Sequence, residues 1–332
     1  MAVADLSTVD RADLQAVNGR PLVLPVDQNG TKTVDWAERN REHVERLLQA
    51  NGALLIRGLK FVGSQQFGSV LATLFGSELL QYVYRSTPRI ELRGNVYTAT
   101  EYHHDLRIPQ HNENAYGNCW AMRLGFLCTL PAETGGATPI CDSATVYAQI
   151  PDAVRDRFER TGVLYVRNYS EIDLHWSEVF QTKDRAVVEQ FCRANRLDCV
   201  WLDGDRLRTR QINQASAVHP VTGARVWFNQ AHLFHVSSLE PEIQGQLLSV
   251  LPEVDLPRNT YYGDGAPIEA ETLRQIREVY ARNLFSFEWQ RNDLLLLDNM
   301  LYSHGREPYS GNRQVLVGMA RPIDADRVET LP

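Results

Sequence analysis

Apolar residues recur at helical spacing in six stretches of the chain. Because residues three or four positions apart share one face of a helix, each stretch predicts a helix packed on the core. The six stripes are Trp36, Asn40, Val44, Leu47 and Leu48; Phe67, Val70, Leu71, Leu74 and Phe75; Val146, Ile150, Val154 and Phe158; Val187, Phe191 and Cys192; Ile243, Leu247 and Leu251; and Leu273, Ile276, Val279 and Tyr280.

Runs of β-branched, aromatic and leucine residues, bounded by Gly, Pro or Asn, lie between these stripes and predict strands. They are Leu22–Val26, Ala53–Arg57, Cys119–Thr129, Val163–Arg167, Ala224–Asn229, Phe285–Trp289, Asp293–Asp298 and Gln314–Ala320. The strands do not alternate regularly with helices. We therefore predict a mainly β fold, a sandwich or jelly roll surrounded by helices. It forms a single domain over residues 1–332, with helical insertions around residues 145–200 and 238–283.

Composition excludes several classes of protein. The 332 residues carry a net charge of −7 with no basic run, which argues against a nucleic-acid or membrane-surface partner. The longest aliphatic run, Leu294–Leu297, is far too short to span a bilayer. The first residues lack the apolar stretch of a signal peptide. Five cysteines without a C-x-x-C pair predict reduced thiols in a cytoplasmic protein. Oligomeric state is not encoded in any of these patterns.

The sequence contains no serine-hydrolase elbow, phosphate loop or dinucleotide fingerprint. The histidines are therefore the main candidates for a functional site. On an extended segment, residues two apart point to the same face, so His111 and Glu113 can offer an imidazole and a carboxylate to one metal ion. His304 follows a predicted strand and is the best third ligand. Two histidines and one carboxylate form the facial triad of non-haem Fe(II) oxygenases. His103-His104-Asp105 spells a similar motif, and residue spacing alone does not exclude it.

Two further features lie near this candidate triad. Arg313 stands nine residues beyond His304 at the start of a predicted strand, and its guanidinium suits a carboxylate, such as the distal one of a 2-oxo acid. Thr138 follows the Gly135-Gly136 turn and supplies a hydroxyl for the same carboxylate, although the turn is equally typical of an ordinary hairpin. The group His219, His232 and His235 lacks a carboxylate at matching spacing and is interpreted as hydrogen-bonded core histidines.

In the order and approximate spacing of its motifs, the chain resembles the Fe(II)/2-oxoglutarate dioxygenases of the taurine dioxygenase (TauD/TfdA) type. The likeness is greater to the SyrP-like subgroup, which oxidises amino acids or amino-acid units in natural-product biosynthesis. The motifs run from about residue 100 to residue 322 and are His111-Asn112-Glu113, Gly135-Gly136-Ala137-Thr138, Asp298-Asn299, His304-Gly305-Arg306 and Arg313.

The resemblance implies a double-stranded β-helix (jelly roll, clavaminate synthase-like). It implies Fe(II) bound by His111, Glu113 and His304, and 2-oxoglutarate held by Arg313 and Thr138, with O₂ as the third reactant. It favours His111 over His103, because the Gly-Gly turn follows His111 at the family's interval. The retained carboxylate implies oxygen transfer rather than halogenation.

The expected reaction is hydroxylation of an unactivated C–H bond in an amino acid, a derivative, or an aminoacyl unit on a carrier protein. Desaturation and epoxidation stay open, as does a non-catalytic sensor or scaffold. Sulfonate-using members carry an arginine where this chain has Val317, which disfavours taurine. The candidates for substrate binding, each of which also has an ordinary structural interpretation, are Arg107, Tyr116, Asn229 and Arg321.

Overall fold

The structure is a computed structural model and describes residues 19–81, 90–99, 102–170 and 172–330. Its largest sheet has six strands in the order β1-β2-β14-β5-β17-β3, antiparallel except for the β1–β2 pair. These strands are β1 (Leu22–Pro25), β2 (Ala53–Arg57), β3 (Tyr97–Thr98), β5 (Cys119–Leu130), β14 (Leu294–Asp298) and β17 (Gln314–Asp324).

Both faces of this sheet are buried, which explains the unbroken leucine run in β14. Leu294 and Leu296 pack with helices α1 (Thr33–Asn51) and α2 (Gly63–Phe75) on the outer face. Leu295 and Leu297 point to the inner core. Glycine lets α2 approach the strands closely. A Cβ added at Gly125 of β5 would lie only 2.4 Å from a methyl group of Leu71 in α2.

A smaller sheet faces the inner side of the large one. Three of its strands run in the order β4-β15-β7, and a two-stranded ribbon, β6–β16, lies beside them. Ile140 and Tyr302 of the three-stranded sheet share a core cluster with Phe126 and Leu295 of the large sheet. The strands are β4 (Ile108–His111), β6 (Thr134–Gly135), β7 (Ile140–Asp142), β15 (Tyr302–Arg306) and β16 (Tyr309–Ser310).

A third sheet and most of the helices lie outside these two sheets, so residues 145–200 and 238–283 hold strands as well as the predicted helices. The third sheet is antiparallel, and its four strands lie in the order β13-β8-β10-β9. The strands, including the β11–β12 hairpin, are β8 (Val163–Tyr169), β9 (Asp198–Leu202), β10 (Arg206–Asn213), β11 (Ser216–Val218), β12 (Arg225–Trp227) and β13 (Arg258–Tyr262). The helices are α3 (Ser143–Gln149), α4 (Asp152–Thr161), α5 (Trp176–Val179), α6 (Arg185–Ala194), α7 (Ala231–Phe234), α8 (Pro241–Val250) and α9 (Ala270–Arg282).

Three expectations from the sequence are wrong. The stripe from Val146 to Phe158 lies on two helices, α3 and α4, because Pro151 stands between them and lacks the N–H that a continuous helix needs. The segment Phe285–Trp289 is not a strand and makes a single β-bridge, from Phe285 to Ile140, because its aromatic residues cover the core without an adjacent strand to pair with. Helix α8 forms but buries none of its residues, and Ile243 is 44% exposed, so this stripe is not core packing. Among the helices of the described ranges, none is long and apolar enough to cross a bilayer.

A buried charge network fixes the turn between β14 and β15. Asp298 accepts hydrogen bonds from the backbone N–H groups of Met300 at 3.0 Å and Leu301 at 3.2 Å. Its other oxygen contacts the Arg123 guanidinium and lies 3.1 Å from Nε2 of His219. Burial favours the neutral acid, but His219 and Arg123 outweigh it and hold the pKa of Asp298 below its ordinary value.

Replacing Asp298 with asparagine is expected to lower the free energy of unfolding by about 2 kcal/mol, because Arg123 loses a charged hydrogen-bond partner. A carboxylate whose pKa is depressed by folding stabilises the protein above its unfolded pKa. That stabilisation is lost as the pH falls through the folded pKa. Urea unfolding of both proteins across the acid range should therefore show a shallower loss of stability in Asp298→Asn. Equal curves would contradict this role.

Candidate metal centre

The pairing of β15 with β4 places two histidines side by side. His304 of β15 is the direct cross-strand partner of His111 at the end of β4, and their ring centroids are 4.4 Å apart. The register shifts after His304, where β15 bulges. The hydrogen bond between His111 Nδ1 and the carbonyl of Pro109, at 2.9 Å, requires Nδ1 to be the donor and leaves Nε2 as the ligand nitrogen.

Glu113 joins these two histidines from the turn that follows β4. One of its carboxylate oxygens is 4.0 Å from Nε2 of His304, and the ligand atoms of all three residues lie within 4.8 Å of one another. His304 and Glu113 are buried, and His111 is partly buried. Two imidazoles and one carboxylate are the donor set that suits a non-haem Fe(II) ion, so the residues present fit this metal.

A cleft of about 420 Å³, including its open mouth, extends from the two histidines. Its lining combines apolar side chains with imidazole, hydroxyl and guanidinium groups, a combination typical of small-molecule sites. Phe126 packs against the His304 ring with centroids 4.9 Å apart. The cleft is lined by Ala99, Ile108, His111, Phe126, Thr138, His304, Gly305, Arg306, Arg313, Val315 and Val317.

Arg313 supplies a partly buried positive charge to this cleft. Its Nε donates to the carbonyl of Gly136 at 2.8 Å, and one terminal nitrogen donates to Oγ1 of Thr138 at 3.3 Å. Burial and the adjacent Arg306 lower the pKa of Arg313 to about 10. Among the described residues, Arg313 has no carboxylate within ion-pair distance. A guanidinium that is largely removed from water calls for an anion, and the distal carboxylate of 2-oxoglutarate fits this position.

The Gly135-Gly136 turn is needed for this arrangement. Both glycines have φ of 69°, a left-handed conformation that other residues rarely adopt. A Cβ at Gly136 would also lie 2.9 Å from Cδ of Arg313. The turn therefore lets Arg313 lie directly against the backbone beside Thr138, which the hairpin interpretation alone does not require.

Arg306 was named in the His304-Gly305-Arg306 motif, but no role was predicted for it. It lines the cleft, and its terminal nitrogens donate to the carbonyls of Tyr102, His103 and Leu106, which fixes residues 102–106 at the cleft. A signal was present in the sequence. Arg306 lies two residues after His304 on the same strand, so an extended strand directs both side chains to one face.

Asn299 supports the carboxylate ligand through the backbone. Its side-chain oxygen accepts from the N–H of Glu113 at 2.7 Å, and its amide nitrogen donates to the Glu113 carbonyl at 2.9 Å. Replacing Asn299 with alanine removes both bonds and is expected to weaken Fe(II) binding by roughly 10- to 100-fold. Anaerobic equilibrium dialysis with Fe(II) measures this. The partly exposed Asn292 serves as the control: Asn292→Gly, which suits the φ of 69° at this position, should leave affinity unchanged. Equal affinity of Asn299→Ala and wild type would contradict the role.

Of the four predicted substrate contacts, three lie elsewhere. Arg107 is 62% exposed and pairs with Glu307 at 2.8 Å. Arg321 bonds the Phe75 carbonyl and Glu45. Asn229 is fully buried; it donates to the Ala215 carbonyl and accepts from Ala231 N–H, so it closes a turn. These three do not line the cleft, because each has its polar partners within the scaffold.

The fourth candidate, Tyr116, lines a second cavity, on the outer four-stranded sheet. Other histidines are also accounted for. The ligand atoms of His103, His104 and Asp105 do gather, but all three side chains are exposed, whereas the His111 group is largely buried. His219 binds Asp298, His232 lies 3.0 Å from the Gln110 carbonyl, and His235 caps the turn at Val236–Ser238. All five cysteines are unpaired.

Comparisons with known proteins agree with this geometry. The model of the family "Taurine catabolism dioxygenase TauD, TfdA family" matches residues 18–320. The dapdiamide synthesis protein DdaC of Enterobacter agglomerans is 38% identical over 92% of this chain and 95% of its own length. A clavaminate synthase-like protein of Arabidopsis thaliana is 28% identical over 90% of this chain and 89% of its own.

Among solved structures, PvcB from Pseudomonas aeruginosa, described as an Fe, alpha-ketoglutarate dependent oxygenase from an isonitrile synthetic pathway, superposes with a TM-score of 0.54. It is 14% identical and covers 100% of this chain and 98% of its own. At that identity the likeness shows the fold. The predicted double-stranded β-helix surrounded by helices is therefore confirmed.

Proposed function

Because the chain belongs to the TauD, TfdA family of dioxygenases, we propose that it oxidises an amino-acid-derived small molecule in natural-product biosynthesis. Its non-haem iron and 2-oxoglutarate chemistry comes with the family. The likeness to a dapdiamide synthesis protein over nearly the whole chain supports the class of substrate. The observation that carries the proposal is one cleft lined by His111, His304 and Arg313, with Glu113 beside the two histidines.

One set of residues at the cleft would bind the metal, and another would bind the cosubstrate. His111, Glu113 and His304 would hold Fe(II), and Arg313 with Thr138 would bind the distal carboxylate of 2-oxoglutarate. When bound with 2-oxoglutarate and O₂, the iron supplies the oxidising power to attack an unactivated C–H bond, and succinate and CO₂ are released. The chain itself orients the reactants and, through Phe126, Val315 and Val317, keeps water from the reacting atoms.

Val317 bears on the choice of substrate. It lines the cleft with an apolar side chain, where sulfonate-using relatives are expected to carry an arginine. A sulfonate would find no cationic partner at this position, which supports an amino-acid-like substrate over taurine. The substrate is either the free compound or the same unit attached to a carrier protein. Membership of the SyrP-like subgroup stays a prediction.

Substrate-dependent succinate formation tests the proposal. The enzyme, loaded with Fe(II) and 2-oxoglutarate, is given free amino acids, their acyl derivatives and the same units on a carrier protein, and products are identified by mass spectrometry. We expect one class to raise succinate formation and to gain one oxygen atom. Loss of two hydrogens would instead identify a desaturase. Binding of both cofactors with no turnover of any class would favour a sensor or scaffold.

A further inference from the structure

A second cavity lies on the outer four-stranded sheet, beside the turn that carries Glu113. It encloses about 410 Å³ including its open mouth, a size within the range of small-molecule sites. No carboxylate is among the described residues that line it. The lining consists of Tyr116, Tyr165, Val166, Arg167, Leu197, Thr209, Gln211, Phe234, Arg258 and Asn259.

This cavity is linked directly to the metal-binding segment. Tyr116, in its wall, lies three residues after Glu113 on the same turn. The hydroxyl of Tyr165 accepts from the N–H of Gln230 at 2.8 Å. The side chain of Gln230 in turn donates to the carbonyl of Asn112, between two of the candidate ligands, at 2.6 Å. Two successive hydrogen bonds therefore connect the wall of the cavity to the segment that carries the candidate metal ligands.

Three aromatic rings form one wall of the cavity. The ring of Phe234 meets those of Tyr116 and Tyr165 edge-on, with centroids 5.1 Å and 5.9 Å away, and the two tyrosine rings are 6.3 Å apart. Such an aromatic wall provides a firm apolar surface for a flat or extended carbon chain.

Two arginines supply the polar end. Arg167 of β8 and Arg258 of β13 are direct cross-strand partners, so like charges face each other. Asp173 lies between them, 2.9 Å and 3.1 Å from Arg258 and 3.7 Å from Arg167. Burial would raise the pKa of Asp173, but Arg258 and Arg167 outweigh it and keep this pKa low. Asp173 therefore stays ionised and accepts the Nε and Nη2 donors of Arg258. Two arginines against one aspartate leave a net positive charge at the cavity, which attracts an anion.

We propose that this second cavity binds an anionic group of the substrate, with Arg167 and Arg258 as its partners and the carbon chain against the aromatic wall. The inference rests on the proposed function, since the chain that ends here is the one oxidised at the metal. The anion is either a carboxylate of a free substrate or the phosphate of a carrier protein's pantetheine arm. Both present the same chemistry to the arginines.

Calorimetric titration of the enzyme loaded with Fe(II) and 2-oxoglutarate, under argon, tests the proposal without turnover. Saturating 2-oxoglutarate keeps carboxylates out of the Arg313 cleft. The probes are 3-phenylpropionate, its uncharged amide, and pantetheine 4′-phosphate. We expect at least one anion to bind roughly tenfold or more tightly than the amide, which corresponds to a single charged hydrogen-bonded contact. Preference for the carboxylate assigns a free substrate, and preference for the phosphate assigns the carrier arm.

Arg258→Gln is the decisive variant, since this side chain is a quarter exposed and should be replaceable without loss of the fold. It should reduce anion affinity to that of the amide. Arg208→Gln is the matched control: Arg208 lies on the same sheet and pairs with Asp255, but it does not line the cavity. Arg167→Lys, which keeps the charge and removes the paired donors, gives a second test if Arg258→Gln fails to fold. Equal binding of acid and amide, or undiminished binding in Arg258→Gln, would overturn the proposal.

The two proposals fail in different ways. An enzyme that gives no visible charge-transfer band with Fe(II) and 2-oxoglutarate, yet binds the anion through Arg258, contradicts the proposed function alone. An enzyme that gives the band and turns over a substrate, but binds the acid and amide equally, contradicts the second cavity alone.

Discussion

Replacing His304 with alanine is expected to abolish Fe(II) binding and, with it, 2-oxoglutarate turnover. His304 lies opposite His111 in the sheet and 4.0 Å from Glu113, so its loss removes one of three ligands from the site. The loss of affinity should exceed the roughly 100-fold that removal of a supporting hydrogen bond costs. The measurement is the visible charge-transfer band in an anaerobic titration with Fe(II) and 2-oxoglutarate, together with the iron content of the protein.

The exposed histidines provide the matched control for this experiment. His104→Ala removes the same side chain from the cluster formed with His103 and Asp105, whose ligand atoms also gather within 4.8 Å. The band and the iron content should be unchanged. Loss of the band in His104→Ala and its retention in His304→Ala would transfer the metal to the exposed cluster.

Arg313→Ala is expected to raise the Kd for 2-oxoglutarate steeply while leaving Fe(II) binding intact. Truncation of one partner of a buried charge pair costs about 2–5 kcal/mol, which is roughly 30- to 4,000-fold in Kd. Titration of 2-oxoglutarate into the Fe(II)-loaded protein without O₂ measures this. Arg107→Ala serves as the control, because Arg107 forms an exposed pair with Glu307. Its loss should leave the Kd for 2-oxoglutarate unchanged. An unchanged Kd in Arg313→Ala would assign the distal carboxylate to another group.

The candidate metal ligands could be predicted because their signal is local. His111 and Glu113 are two residues apart, and His304 follows the leucine-rich strand β14. Local spacing did not identify the partner strand. The register that sets His304 against His111 depends on β15 pairing with both β4 and β7, and those strands are distant along the chain.

The polar residues that were misplaced share a physical cause. Arg107 and Arg321 bind carboxylates that are distant in sequence, those of Glu307 and Glu45. Asn229 binds a backbone group, the carbonyl of Ala215. Composition and spacing carry no signal for such pairings. A polar residue near a motif therefore gives little indication of whether it faces the substrate or supports the scaffold.

The elements that were misread show a related limit. An alternating pattern such as Phe285–Trp289 indicates burial on one side, but a strand also needs an edge with which to pair. The stripe in α8 has the spacing of a core helix, but none of the helix's residues is buried. Strands β9, β10 and β13 were not predicted. Strand β10 is rich in arginine, threonine and glutamine, and two of these residues, Thr209 and Gln211, line the second cavity.

Anomalous diffraction at the iron absorption edge, from crystals grown without O₂ in the presence of Fe(II) and 2-oxoglutarate, examines the central assignment most directly. A single strong peak in contact with His111, Glu113 and His304, with the cosubstrate's far carboxylate on Arg313, is the expected result. A peak at His103, His104 and Asp105, or none in the cleft, would contradict it.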